Sequence, residues 1–228
     1  MDRRLGRRVV TVLIGAFALA IGPFLWSQGA QGGPVSEVAP QGIVVVGDSI
    51  TARYDDSPGD ADQGWWSVVA RHYGADVTTY AQSGSGYLRQ GLRCTGDRFG
   101  DRDAAFEGSA PSLFIVEGGR NDWSQCVDGR WLPSTNAEVE RAVERYYDRI
   151  DASFGPATRV VVLGPPWGPL QLLEGLRITR IVKAAVERHG FEFVDTAGTL
   201  TAENVVDGIH PNRAGSLAIA DRVIATVG

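Results

Sequence analysis

The sequence predicts an α/β fold on a mainly parallel, five-stranded sheet with helices on both faces. Three observations lead there. Short apolar runs alternate with longer stretches of helical periodicity. The runs are rich in β-branched residues and apolar at nearly every position, as strands buried on both faces are. Three of them stop at a glycine (Gly47, Gly118 or Gly164), where a chain leaving a sheet turns.

The elements follow in order. Ile43–Val46 is the first strand. Gly64–Tyr73 sets Trp65, Val68, Val69 and His72/Tyr73 at helical spacing, and Gly74 can end that helix. Trp65 and Trp66 open it and read as core residues. Asp76–Tyr80 is the second strand and Ser112–Val116 the third, with an irregular or helical stretch between them. Thr135-Asn136-Ala137-Glu138 has the form of a capping box. Val139, Ala142, Val143, Tyr146, Ile150 and Phe154 follow at steps of three and four. Arg159–Leu163 is the fourth strand, Leu172–His189 a helix with Gly190 placed to cap it, and Phe191–Val194 the fifth strand. Pro211 fits the first turn of the last helix, where its missing N–H costs no hydrogen bond. In such a sheet ligands bind beyond the carboxyl ends of the strands. Chemistry is therefore expected in residues 47–49, 82–84, 119–122 and 164–167, and in the loop that reaches His210.

A chain of 228 residues, 43% hydrophobic and 21% charged, is long enough for one soluble domain with a proper core. A net charge of −5 argues against a nucleic-acid partner. Residues 1–30 form a targeting element. Arg3, Arg4, Arg7 and Arg8 precede an apolar run from Val9 to Trp26, and Ala18-Leu19-Ala20 offers a cleavage site. A cleaved signal peptide and a retained membrane anchor both stay open. Either way the segment meets the membrane or its translocation machinery, and the basic cluster stays inside while the rest goes out. Residues 31–41 read as a Gly-, Gln- and Pro-containing linker, and 42–228 as the folded domain. The domain is expected to be extracytoplasmic and monomeric. The even pair Cys94 and Cys126 then suggests a disulfide.

A serine hydroxyl needs a proton acceptor near neutral pH, and histidine is the usual one. The chain has three histidines. His72 lies in the first helix. His189 ends another, where a cation suits the helix dipole. His210 sits in a loop three residues after Asp207, a carboxylate placed to orient the imidazole. Ser49 follows the first strand in Gly47-Asp48-Ser49. Attack on an ester creates a negative oxygen that preorganised donors stabilise. Asn121 offers a side-chain NH2, and Gly84 a backbone N–H that a missing Cβ leaves open to close approach.

Gly-Asp-Ser after the first strand, Ser83-Gly84 after the second, Gly119-x-Asn121-Asp122 after the third and Asp207-x-x-His210 near the end resemble the SGNH/GDSL hydrolases. The resemblance runs in family order through roughly residues 42–228. It implies a three-layer α/β/α sandwich of flavodoxin-like shape and ester hydrolysis through an acyl-enzyme, without metal or cofactor. Ser49 would be the nucleophile, His210 the base and Asp207 the acid. The oxyanion hole would comprise the Ser49 N–H, Gly84 and Asn121. Gly86, two residues on, leaves the choice of glycine open, and Tyr80 or Thr79 stands where an asparagine is common. Asp48 and Asp122 read as supporting residues.

The substrate is expected to be a small-molecule or glycan acyl ester: an acetylated glycan, a short-chain lipid or an aryl ester. Trp123, Trp131 and Trp167 follow predicted strand ends. Trp123 and Trp167 are the candidate substrate-stacking residues, with loop packing as the alternative. Two rivals stand beside the esterase. A metal-dependent phosphoesterase would draw ligands from Asp48, Asn121, Asp122, Asp207 and His210, but such sites usually want more histidines or carboxylates. A non-catalytic, surface-anchored glycan-binding module would not need a nucleophile with its base.

Overall fold

The computed structural model describes residues 42–52, 61–168 and 173–228. The expected targeting element and linker lie outside them. Five strands form one sheet: β1 (Gly42–Gly47), β2 (Asp76–Ala81), β3 (Leu113–Glu117), β6 (Arg159–Leu163) and β7 (Glu192–Val194). They run parallel in the order β2-β1-β3-β6-β7. The reversal of order falls between β1 and β3, the two strands that end at Asp48-Ser49 and at Gly118–Asp122. A crevice forms at such a switch point.

Strand alternation sends side chains to two separate cores. Ile43, Val45, Leu113, Ile115, Val161 and Leu163 pack under α2 (Trp65–Tyr73) and α5 (Arg213–Val227), with Trp65, Val69, Ile219 and Val223 opposite. Val46, Phe114, Val116, Val160 and Val162 pack under α3 (Asn136–Ser153) and α4 (Leu173–His189), with Val139, Val143, Tyr147, Ile178 and Val182 opposite. The three layers are those the apolar pattern implied. Trp65 and Trp66 are buried, as expected.

The caps act as their residues suggest. Thr135 Oγ1 accepts the Glu138 N–H at 3.3 Å, and the Glu138 carboxylate accepts the Thr135 N–H at 2.8 Å. Gly74 and Gly190 take left-handed conformations at helix ends. The last helix differs from expectation: it starts at Arg213, with the Asn212 side chain accepting the Gly215 N–H at 3.1 Å. Pro211 lies outside it, in an antiparallel bridge to Val205. A hairpin was also unforeseen, β4 (Ser124–Val127) with β5 (Arg130–Pro133), turning through Asp128 and Gly129 at φ 50° and 73°. Asp-Gly favours that turn. Among the described residues no helix is long and apolar enough to cross a membrane.

Candidate active site

The first strand delivers Ser49 through a tight turn into the four-residue helix α1 (Ser49–Ala52). Asp48 starts that helix. Its Oδ1 accepts the Ile50 N–H at 2.9 Å and its carbonyl accepts the Ala52 N–H at 2.9 Å. The turn is too tight for a side chain at position 47, where a Cβ would stand 2.2 Å from Thr51 Oγ1. Thr51 in turn donates to Glu117 Oε2 at 2.7 Å, and the Asp48 N–H points at the same oxygen at 3.4 Å. Glu117 is fully buried at the end of β3. Burial, then the charge of Asp48, push it well above the usual carboxylate range. Burial raises Asp48 too. Burial thus disfavours the charged form of both acids.

The loop after β2 turns at Gly84, whose φ of 76° is a left-handed value. Asp122 holds the residues beyond it. Its carboxylate accepts the N–H groups of Tyr87, Leu88 and Arg89 at 3.0, 2.9 and 3.0 Å. Burial nevertheless pushes Asp122 up to about 6, against the pull of those bonds. Gly86 lies directly under it, and a Cβ there would meet Asp122 Oδ1 at 2.4 Å. The two candidate glycines now separate. The Gly86 N–H donates to the Arg89 carbonyl at 3.0 Å. The N–H groups of Gly84 and Ser49 have no acceptor among the described residues.

Asn121 is brought to the first and second blocks. Its Nδ2 donates to the Ser85 carbonyl at 2.9 Å and to Asp48 Oδ2 at 3.2 Å. The histidine loop is organised by Asp207. Its Oδ1 accepts the N–H groups of Ile209 and His210 at 3.1 and 2.8 Å, and its Oδ2 meets His210 Nδ1 at 2.7 Å. Partial burial works against the Asp207 charge, but the His210 N–H and imidazole outweigh it and hold the carboxyl down at about 2. His210 Nε2 is buried with no hydrogen-bond partner among the described residues. A base with one nitrogen oriented and the other bare is ready to take a proton.

Arg120 links the loops. It donates to the Pro166 carbonyl at 3.2 Å and feels the charges of Asp48, Glu117 and Asp207, which oppose the downward pull of burial. A Cβ on Gly168 would stand 2.4 Å from the Gly208 carbonyl, so the loop after β6 touches the histidine loop.

A model of the GDSL-like Lipase/Acylhydrolase family matches residues 45–218. The chain belongs to this family. This GDSL-like acylhydrolase is an ester hydrolase. It is 27% identical to GDSL lipase Rv0518 of Mycobacterium tuberculosis over 201 residues, 79% of each chain. Its fold is similar to that of Est24, a carbohydrate acetylesterase from Sinorhizobium meliloti, with a TM-score of 0.64 and 18% identity over 81% of this chain and 99% of that one. It is also similar to a family two carbohydrate esterase from Clostridium thermocellum solved with cellohexaose. That TM-score is 0.66, at 18% identity over 81% of this chain and 62% of the longer neighbour. At these identities the structural likeness is one of fold.

The tryptophans of this acylhydrolase divide. Trp123 is 46% exposed and shares the Arg89 guanidinium with Trp131, at 5.7 and 4.0 Å from the ring centres. Trp167 fits the loop-packing alternative. It is buried, with Arg120 4.5 Å from its ring centre, and it occupies the space that a Cβ on Gly175 would need. Cys94 and Cys126 are bonded and join the 3₁₀ turn Leu92–Cys94 to β4.

Sequence reasoning missed Glu117 and Arg102. A charged residue ending the apolar run Leu113–Val116 was a visible signal for Glu117. Arg102, between Asp101 and Asp103, carried none. Its side chain is buried all the same.

Proposed function

We propose that this acylhydrolase cleaves acyl esters through an acyl-enzyme on Ser49. One observation carries the proposal: Asp207 holds His210 by Nδ1 and leaves Nε2 buried and bare. His210 Nε2 takes the Ser49 proton as Oγ attacks the carbonyl carbon. The resulting oxyanion accepts from the Ser49 and Gly84 N–H groups and from Asn121. The Asn121 bond to Asp48, the longer of its two, is the one the oxyanion displaces. Collapse expels the alcohol, which takes its proton from His210. Water then attacks the acyl carbon with His210 as base, and Ser49 leaves reprotonated.

The substrate class we favour is an acylated glycan or a short-chain ester. Trp123 supports it as an exposed aromatic face two residues from Asn121, as do the carbohydrate esterases among the structural neighbours. We place the domain outside the cytoplasm. Arginines ahead of an apolar run support that placement, and so does a disulfide.

The test is turnover of p-nitrophenyl acetate by the wild type and by Ser49→Ala, with labelling by a serine-reactive phosphonate. Ser49→Ala is expected to fold, to lose turnover and to take no label. Wild-type turnover in that variant ends the proposal.

A further inference from the structure

Arg102 lies outside every motif of the site, on the short connection between the 3₁₀ turns Phe99–Asp101 and Asp103–Phe106. It is nonetheless only 8% exposed. A guanidinium taken out of water must find acceptors or lose most of its solvation. Its acceptors here are main-chain carbonyls and a hydroxyl rather than a carboxylate. Nη1 donates to the Gly47 carbonyl at 2.8 Å and to the Tyr80 carbonyl at 2.7 Å. Nη2 donates to Ser85 Oγ and, at 3.5 Å, to the Asp97 carbonyl. The Phe99 ring lies 5.0 Å from its carbon centre.

Those acceptors define the site. The Gly47 carbonyl belongs to the peptide that enters Asp48-Ser49. Tyr80 is near the end of β2, just before the loop with Gly84. Ser85 follows Gly84 directly, and its own carbonyl accepts the Asn121 amide at 2.9 Å. One planar fork thus reaches the peptide ahead of the nucleophile and both flanks of the oxyanion glycine. Through Ser85 it also reaches the third donor. We propose that Arg102 is a positioning residue of the esterase site: it sets the spacing of the Ser49, Gly84 and Asn121 donors without touching substrate. The proposal rests on the roles given to those three residues above. A lysine cannot replace it, because a point-like ammonium does not hold four acceptors in a fixed plane.

The experiment measures kcat and KM on p-nitrophenyl acetate for the wild type, Arg102→Lys, Arg102→Ala and Ser85→Ala. Each is run with and without millimolar guanidinium, and circular dichroism reports the folded fraction. Ser49→Ala is run alongside. A donor displaced by about 1 Å costs on the order of a hundredfold in rate. Arg102→Lys and Arg102→Ala are therefore expected to lose about a hundredfold in kcat with KM little changed. Guanidinium is expected to restore part of the loss in Arg102→Ala and none in Arg102→Lys, whose ammonium fills the slot. Ser85→Ala, which removes only a hydroxyl, is expected to lose about tenfold. If Arg102→Ala fails to fold, Arg102→Lys and Ser85→Ala decide the matter. Wild-type kcat per folded molecule in those two overturns the clamp. So does a loss in Arg102→Ala that guanidinium leaves untouched. Turnover by Ser49→Ala would instead remove the assignment beneath the clamp, so the two failures are told apart.

Discussion

Replacing Asp207 by asparagine separates the two tasks of its carboxylate. In the native chain Oδ1 serves the backbone of Ile209 and His210 at 3.1 and 2.8 Å, and Oδ2 serves His210 Nδ1 at 2.7 Å. The amide introduced by Asp207→Asn can keep its oxygen on the two backbone N–H groups. It then turns its NH2 toward Nδ1. The imidazole must accept there and carry its proton on Nε2, the tautomer that cannot take a proton from a serine. In a buried triad this exchange costs about 10⁴ in kcat. Here the Asp207 side chain is 43% exposed, so water shares in stabilising the imidazolium. The expected loss is therefore smaller, on the order of 10²–10³ in kcat. The backbone bonds survive, so the melting temperature should stay near that of the wild type. Initial rates on p-nitrophenyl acetate and a thermal melt are sufficient. An unchanged kcat would refute the role of Asp207. A large fall in melting temperature would refute the claim that asparagine keeps the loop.

Two further outcomes are expected. Asp122 gives a signed pH dependence: an unfolded aspartate loses its proton near 3.8, whereas the buried residue keeps it to about 6. Between those values the native state binds the extra proton, so stability falls as pH rises through the window, by about 3 kcal/mol in all. The stability of the wild type relative to Asp122→Asn should therefore shrink from about pH 4 to pH 6 and then level off. A gap that widens with pH would mean that the three N–H bonds outweigh burial. The Cys94–Cys126 bond spans 32 residues of sequence and stabilises by roughly 3–4 kcal/mol in the chain-entropy model. The double serine variant should melt on the order of 10 °C lower, and alkylation of the untreated protein should find no free thiol.

Much of the molecule was legible because its signals are local. A strand buried on both faces must be apolar at each position, so Leu113–Val116 and Val160–Leu163 declared themselves. The Thr135–Glu138 box named its helix start. Ser49 and Asn121 were read as blocks at strand ends, where the fold class alone expects chemistry, and His210 as a loop histidine three residues after Asp207. The rest depended on partners distant in sequence. Arg102 bonds to carbonyl oxygens, which every residue has, so nothing in the sequence around it announces them. Whether Trp167 faces solvent or α4 depends on the path of a loop. Pro211 fitted a helix start on local grounds, but the Asn212 cap and the bridge to Val205 hold it outside. The hairpin at 124–133 was a different miss: Asp128-Gly129 was in plain view, but its flanking strands lack the clean alternation that marks a half-buried ribbon.

The Asp122 carboxylate has a consequence for motion. Three successive amides bonded to one buried group cannot move singly, so the loop that carries Gly84 is stiff. The histidine loop rests on Asp207, whose side chain is 43% exposed, and on a few main-chain bonds around Val206, itself 51% exposed. Local opening is therefore expected first in the histidine loop. In hydrogen exchange the amides of Tyr87, Leu88 and Arg89 should outlast those of residues 206–209. The Gly84 loop would then stay fixed while the His210 loop opens and closes.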